Sequence, residues 1–330
     1  MRMEILIVGA GGIGRKHVLS LLRMNNCNVH CFDLSKKILL ELEKIHPEVK
    51  TYSALNNIVQ IKFHGAIICT PTNTHIKYAY WCAERNIPFL VEKPLSVDED
   101  GIEDLISLCQ SANIPAGVAY PRRSGYPYQL MKRKIELGEL GDLKLIRTNF
   151  SQDYRKYRPD YKDTYYSKLS SGGGIIMDAL SHHINLLSYY GGGVESVSAL
   201  SEKIVFQDVE GEDVAFVNIK FKNGVLGCIN GNQFQKPNED FIELVGTKGN
   251  IRFERISGYF YDFNCTNDSW ERSELNGSWE DILMNQIANF LKSIARIEFF
   301  PTTLKEGQQD LKVLLAIRES IEHSKTIILK

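Results

Sequence analysis

Apolar and polar positions alternate with two different periods along this chain, and the pattern changes near residue 120. Up to that point, short apolar runs at 3–8 (MEILIV), 28–32 (NVHCF), 65–69 (GAIIC), 88–92 (PFLVE) and 115–119 (PAGVA) read as strands. The segments between them repeat their apolar residues at helical spacing and predict helices over 14–24, 36–46, 74–86 and 98–113. Strand and helix in turn predict a parallel sheet covered on both faces, with ligands at the carboxyl ends of its strands.

Beyond Tyr120 the spacing predicts a helix over 126–137, a strand over 143–150, a loop rich in tyrosine, arginine and lysine, and a helix through 172–190. Alternating patterns then predict strands over 194–206, 213–221, 225–232, 241–246 and 250–254. Asn223-Gly224 and Lys248-Gly249-Asn250 supply hairpin reversals, and helices over 281–296 and 305–323 follow. The expected architecture is α/β: a doubly wound parallel domain over 1–121, then an α+β domain over 122–330 with a largely antiparallel open sheet.

With 330 residues the chain exceeds one ordinary core, which agrees with two domains. Hydrophobic residues at 43% and charged residues at 24% are usual for a globular enzyme, and no apolar run is long enough to span a bilayer. A net charge of −1 lacks the basic footprint of a nucleic-acid binder, so a small molecule is the expected partner. Cysteines 27, 31, 69, 82, 109, 228 and 265 form no CxxC pair and lie mostly in apolar segments. They read as reduced thiols of a cytoplasmic protein, with no metal site expected.

The loop GAGGIG at 9–14 carries the clearest chemistry. Gly9 permits a tight turn out of the strand, Gly11 lets backbone approach a pyrophosphate, and Gly14 lets the next helix lie close to the sheet. The amides of Gly12 and Ile13, at the positive end of that helix, then face phosphate. Asp33 ends the next strand, where a carboxylate accepts from a ribose diol and repels a 2′-phosphate. NAD is therefore the expected cofactor, with NADP as the alternative because Ser35, Lys36 and Lys37 lie nearby; a second role for Asp33 is capping the helix from Lys36.

CTPTNTH at 69–75 follows the third apolar run of the first domain. Pro71 stiffens the turn, and Asn73 or Thr74 is placed to cap the helix that follows. Thr70, Pro71, Thr72, Asn73 and His75 are expected on the cofactor side, together with Glu92 and Lys93. Glu92-Lys93-Pro94 ends the next strand, and the proline fixes a sharp turn beside it. In the segment 172–183 (GGGIIMDALSHH), Asp178 and His182 stand at i and i+4, which puts them on one helical face. An imidazole can take the proton of an alcohol, a carboxylate can orient the ring or a substrate hydroxyl, and Lys93 can stabilise the developing alkoxide. His183, about 100° round the helix, is expected to pack or face solvent.

Together these residues resemble the Gfo/Idh/MocA family of oxidoreductases: the glycine loop, a TPN-like turn at 70–73, Glu92 to Pro94, Arg122 and Arg123 at a strand end, and GGG followed by D-x-G-x-H. VGTKGNIRF at 245–253 and the final helix also resemble the family, so the match covers nearly the whole chain. The resemblance implies an N-terminal Rossmann domain, and a C-terminal sheet that forms a homodimer or homotetramer. It implies hydride transfer to or from a secondary alcohol of a sugar, cyclitol or derivative, with Lys93 and His182 as the catalytic pair and Asp178 holding a substrate hydroxyl. Tyr120 and Arg122 would line the substrate side. Two departures stand out: Leu180 replaces the usual glycine and is expected to crowd the pocket side of the helix. Asn185 replaces a frequent aspartate and is expected to loosen a supporting contact.

The loop at 152–168 offers aromatic faces for a sugar ring, and Arg155, Arg158 and Lys162 for a phosphate or carboxylate. A sugar substrate, with an anionic one included, is expected. The alternatives are a reductase of a non-sugar small molecule and a non-catalytic dinucleotide sensor.

Overall fold

The computed structural model describes residues 2–264, 268–275 and 278–329, so Cys265 lies outside the described residues. In chain order the first elements are β1 (Met3–Val8), α1 (Gly12–Met24), β2 (Cys27–Phe32), α2 (Lys36–Ile45), β3 (Lys50–Tyr52), β4 (Gly65–Ile68), α3 (His75–Ala83), β5 (Phe89–Glu92), α4 (Ile102–Ser111) and β6 (Ala116–Ala119). There follow α5 (Tyr126–Glu136), β7 (Leu143–Asp153), the single turn α6 (Tyr154–Tyr157), a π-helix (Ile176–Leu180), α7 (Ser181–Gly191), β8 (Val194–Glu202), β9 (Val214–Phe221) and β10 (Leu226–Asn232). The remainder is β11 (Phe234–Gly246), β12 (Gly249–Glu254), β13 (Tyr259–Asn264), β14 (Ser269–Glu274), α8 (Trp279–Ile294), α9 (Leu304–His323) and β15 (Ile327–Ile328).

The chain divides into two compact units, Met1–Ser124 with Trp279–Gln308, and Gly125–Ser278 with Gln309–Lys330. The division at Ser124 lies three residues beyond the expected boundary, and Trp279–Gln308 was expected in the second domain. The reason for the exchange is apolar: Ile287, Phe290 and Leu291 of α8 and Phe300 join one buried cluster with Ile5, Ile7, Val18 and Leu21.

In the first unit six strands run parallel in the order β3-β2-β1-β4-β5-β6. Burial on both faces explains their unbroken apolar runs: Ile5, Leu6, Ile7 and Val8 are all 0% exposed. The order reverses on either side of β1, so the ends of β1 and β4 flank the switch point where this class of sheet binds ligands. Strand β3 is short and half-buried, and the apolar pattern did not show it.

The second unit is a nine-stranded sheet in the order β14-β13-β12-β11-β7-β10-β9-β8-β15. Every neighbouring pair is antiparallel except β7 and β10. Asn223-Gly224 makes the expected reversal, with Gly224 N–H donating to Phe221 O at 2.9 Å. One face packs on helices, where the Asn185 amide of α7 donates to Asp310 Oδ2 of α9 at 2.7 Å. The other presents Leu145, Leu200, Phe216 and Leu226, paired in register as Leu226 with Leu145 and Leu200 with Phe216.

Candidate active site

The glycine loop forms the turn that the sequence requires. Gly9 sits at φ +101°, a left-handed conformation, and a Cβ there would lie 2.8 Å from the Cys69 backbone. At Gly14 a Cβ would lie 2.0 Å from Gly9 O, so α1 starts tight against the strand it leaves. At Gly11 a Cβ would meet nothing within 4 Å, which leaves open space over the loop. The first intrahelical bond of α1 is Arg15 N–H to Gly11 O at 2.9 Å, so the amides of Gly12, Ile13 and Gly14 precede the helical ladder and point out of the helix start. Open space and unladdered donors at a helix N-terminus together fit a dinucleotide pyrophosphate.

Asp33 is built into this loop. It accepts from Ala10 N–H at Oδ2 and from Ser35 N–H at Oδ1, both at 2.8 Å. Ser35, not Asp33, caps α2, its hydroxyl accepting from Ile38 N–H at 3.4 Å. The backbone bonds fix the carboxylate at the carboxyl end of β2, where a ribose-binding acid belongs.

After β4 a 3-10 turn at Thr72–Thr74 leads into α3. The Thr74 side chain does not cap that helix: its hydroxyl donates to Pro71 O at 2.7 Å and bonds Thr70 Oγ1 at 2.9 Å. Pro71 and Asn73 are exposed, and Thr72 is buried. His75, only 1% exposed, places Nε2 2.8 Å from Thr70 O and Nδ1 3.0 Å from Pro94 O. Burial holds its pKa below the ordinary value against the pull of these carbonyls. The ring thus ties the β4 turn to the β5 turn.

At the end of β5 the Lys93–Pro94 peptide is cis and Lys93 is half-buried. Glu92 turns inward, accepting from Lys93 N–H at 3.2 Å and bonding Nε2 of the fully buried His17 on α1 at 2.7 Å. Nothing in the sequence marks His17, since its partner is 75 residues away. Tyr120 and Arg122 are buried in this same unit, and Arg123 pairs with Glu306 at 2.6 Å and donates to Pro301 O at 3.1 Å.

In the second unit Asp178 and His182 do not share a regular α-helix. Asp178 lies on the π-helix, closed by Leu180 N–H to Ile175 O, and His182 lies in the first turn of α7. Such i→i+5 turns are often found at functional sites. Glu212 sets this one up, accepting from Ile175 N–H at its carbonyl (2.9 Å) and from Ile176 N–H at Oε1 (3.0 Å). Gly174, at φ +86°, makes room for that carboxylate, because a Cβ there would lie 2.5 Å from Glu212 Oε1. Burial pushes the Glu212 carboxyl up, opposed by the Ile176 amide and by the charge of Arg318, which itself donates to Gly173 O at 3.1 Å.

Both departures from the family pattern find partners. Leu180 is fully buried and turns onto β10, its Cδ2 lying 2.6 Å from where a Gly231 Cβ would stand. It fills the core instead of crowding the pocket side as expected. Asn185 donates to the buried Asp310 carboxylate, so the contact expected to loosen is a direct hydrogen bond. His183 packs as expected, fully buried, with Nδ1 2.7 Å from Thr148 Oγ1.

The tyrosine-rich loop is divided between core and surface. Tyr154, Tyr161 and Tyr166 are buried in a cluster with Phe206 and Val209, so they are not faces for a ligand. Arg155 lies 4.7 Å over the Phe206 ring, and Lys162 pairs with Asp208. Arg158 is exposed, as are Tyr157 and Tyr165. Tyr165, not singled out by the sequence, donates its hydroxyl to Asp178 Oδ1 at 2.8 Å.

Among the described residues no group of three or more His, Cys, Asp or Glu is arranged to hold a metal ion, and no helix is long and apolar enough to cross a membrane. Cys27, Cys31, Cys69, Cys82 and Cys109 are buried free thiols, and burial pushes Cys27 and Cys109 up to about 11.

This strand order and glycine turn define a dinucleotide-binding Rossmann fold. Comparison with known families agrees: residues 3–120 match the NAD-binding Rossmann fold of an oxidoreductase family, and 128–252 match the GFO/IDH/MocA C-terminal domain. The chain belongs to the GFO/IDH/MocA family of oxidoreductases, and its first unit carries an NAD(P)-binding Rossmann domain. Myo-inositol 2-dehydrogenase of Thermotoga maritima is 24% identical over 350 aligned residues, covering 99% of each chain. Among solved structures, the WlbA dehydrogenase of Bordetella pertussis in complex with NADH and UDP-GlcNAcA is 22% identical, with a TM-score of 0.86 over 100% of this chain and 98% of that one. Levoglucosan dehydrogenase in complex with NADH and levoglucosan is 20% identical, with a TM-score of 0.89 over 99% of each. At these identities the structural likeness is one of fold.

Proposed function

We propose that this protein transfers hydride between NAD(P) and a secondary alcohol or ketone of a sugar, cyclitol or sugar derivative. The observation that carries the reading is that the first unit holds an open glycine turn with Asp33 fixed beside it, while the second carries Asp178 on a π-turn and His182 at the start of α7. Gly9, Gly11, Gly12, Ile13 and Gly14 would hold the pyrophosphate, Asp33 the ribose, and the backbone of Thr70 to Asn73 the nicotinamide side. Glu92 and His75 support that turn and Lys93 from within the first unit. Bound there, the nicotinamide supplies the hydride acceptor or donor.

His182 takes the proton from the reacting hydroxyl oxygen as hydride leaves the same carbon, and returns it in the reverse direction. The ammonium of Lys93 stabilises negative charge developing on that oxygen. Asp178 accepts from a neighbouring substrate hydroxyl. The molecules in the relatives' names and complexes, an inositol, levoglucosan and UDP-GlcNAcA, each carry a polyhydroxylated ring and support the substrate class. Arg158, exposed like Arg155 but not stacked on Phe206, would meet an anionic group on such a ring. Asp33 favours NAD. A second copy of the chain would cover the apolar outer face of the nine-stranded sheet.

A panel of cyclitols, sugars, sugar acids and nucleotide-linked sugars, scored by the absorbance of reduced nicotinamide with NAD and with NADP, tests this. Turnover of a polyhydroxylated ring with NAD is the expected result. Turnover confined to non-sugar carbonyl compounds, or none across the panel, overturns it.

A further inference from the structure

The Asp178 carboxylate has a neighbour with no role in the reaction as described. Tyr165 donates its hydroxyl to Asp178 Oδ1 at 2.8 Å although the residue as a whole is 40% exposed. Its neighbour in sequence is core: Tyr166 is 0% exposed and packs on Tyr154, 6% exposed, with ring centroids 4.4 Å apart. Tyr165 is therefore presented from an anchored base. Its carbonyl accepts from Ser171 Oγ at 3.0 Å. The glycine turn before Asp178 is fastened to the same loop, since a Cβ on Gly173 would lie 2.2 Å from Tyr166 O. The phenol and the carboxylate are thus held from both sides by backbone that has little freedom to separate them.

We propose that Tyr165 is a positioning residue of the substrate site, its phenol fixing the Asp178 carboxylate in the orientation that receives a hydroxyl next to the reacting carbon. The inference rests on the substrate-holding role given to Asp178 above. An aspartate free to rotate must be ordered each time a substrate binds, whereas one held by a charge-assisted O–H···O⁻ bond is ordered beforehand. Burial and the Asp178 charge push the Tyr165 hydroxyl pKa well above its ordinary value, so the phenol remains a donor through the neutral range. The charge of Arg158 opposes that shift without overcoming it. The substrate class narrows accordingly to rings with a hydroxyl adjacent to the oxidised carbon, because a lone secondary alcohol gives Asp178 nothing to accept.

The test compares wild type, Tyr165→Phe, Asp178→Asn and the double variant on the best polyol of the panel. Tyr165→Phe is expected to raise KM about tenfold, a change of about 1.4 kcal/mol, with kcat less affected, and to have no further effect in the Asp178→Asn background. Additive losses in the double variant, or an unchanged KM in Tyr165→Phe, overturn the proposal. A second readout needs no turnover: with ring-labelled tyrosine, the Tyr165 resonance, assigned by its loss in Tyr165→Phe, is titrated by NMR. Its pKa is expected to fall in Asp178→Asn. An unchanged pKa overturns the proposal, while a fall with an inactive panel upholds the pairing and strikes only the oxidoreductase reading.

Discussion

Two glycines in one loop should fail in opposite ways. At Gly14 an alanine Cβ would stand 2.0 Å from Gly9 O and 3.0 Å from Gly9 C. Both atoms are backbone, so relief requires the start of α1 to retreat by roughly 1 Å from a contact that cannot close below about 3 Å. Val18 and Leu21 of that helix are fully buried, and any retreat loosens their packing. Overpacking of this kind costs about 1–3 kcal/mol, or roughly 2–10 °C in the midpoint of the unit that contains α1. Gly11→Ala adds its methyl to space with no protein atom within 4 Å. There the weaker N-cap and the reduced freedom of the unfolded chain nearly cancel, leaving stability within about 1 kcal/mol. If the space belongs to a pyrophosphate, NAD affinity should drop at least about tenfold in Gly11→Ala. Thermal unfolding and quenching of protein fluorescence by NADH separate the two effects. A Gly11→Ala protein that binds NADH as wild type does, or a Gly14→Ala protein with an unchanged midpoint, refutes the reasoning.

Three further outcomes follow from packing and charge. His30 sits between Tyr52 and Phe63, and burial holds its pKa below 6.5 although Glu4 at 2.6 Å opposes the shift. Its stabilising contribution is therefore complete above the unfolded pKa and is lost as pH falls through the folded one; thermal midpoints should drop between about pH 7 and pH 5, and less so in His30→Phe. Gly231→Ala drives a methyl to 2.6 Å from Leu180 Cδ2 and should cost about 1–3 kcal/mol in chemical denaturation, and clearly less when introduced into a Leu180→Ala background. Asn185→Asp sets a second carboxylate against Asp310, both sites being buried. A shift of roughly two pKa units on the new acid corresponds to about 3 kcal/mol of lost stability at neutral pH, regained as the protein is acidified.

Legibility in the sequence followed how locally each feature is determined. The parallel sheet could be read because burial on both faces leaves continuous apolar runs such as MEILIV, and the glycine turn because its backbone demands are met within six residues. Strand β14 could not be read, because all six of its residues are exposed and carry no alternation. The same limit explains the tyrosine-rich loop. Whether Tyr161 and Tyr166 stack on a ligand or build a core depends on Phe206 and Val209, some forty residues on, and Arg155 and Lys162 are engaged by that same segment. The π-turn under Asp178 depends on Glu212, which no local pattern announces, and the direction of Leu180 depends on a glycine in β10. Roles that rest on one chain segment could be assigned from sequence, while those needing a partner from another element could not.

The central claim is that Lys93 and His182 act on the same alcohol that a bound nicotinamide oxidises. It is tested most directly by kcat/KM for the best polyol in wild type, Lys93→Met and His182→Asn, with NADH affinity measured on the same preparations. Losses of about 10²–10⁴ in both variants with cofactor affinity preserved are expected. Wild-type turnover in both, or activity lost only in step with NADH binding, would contradict the account.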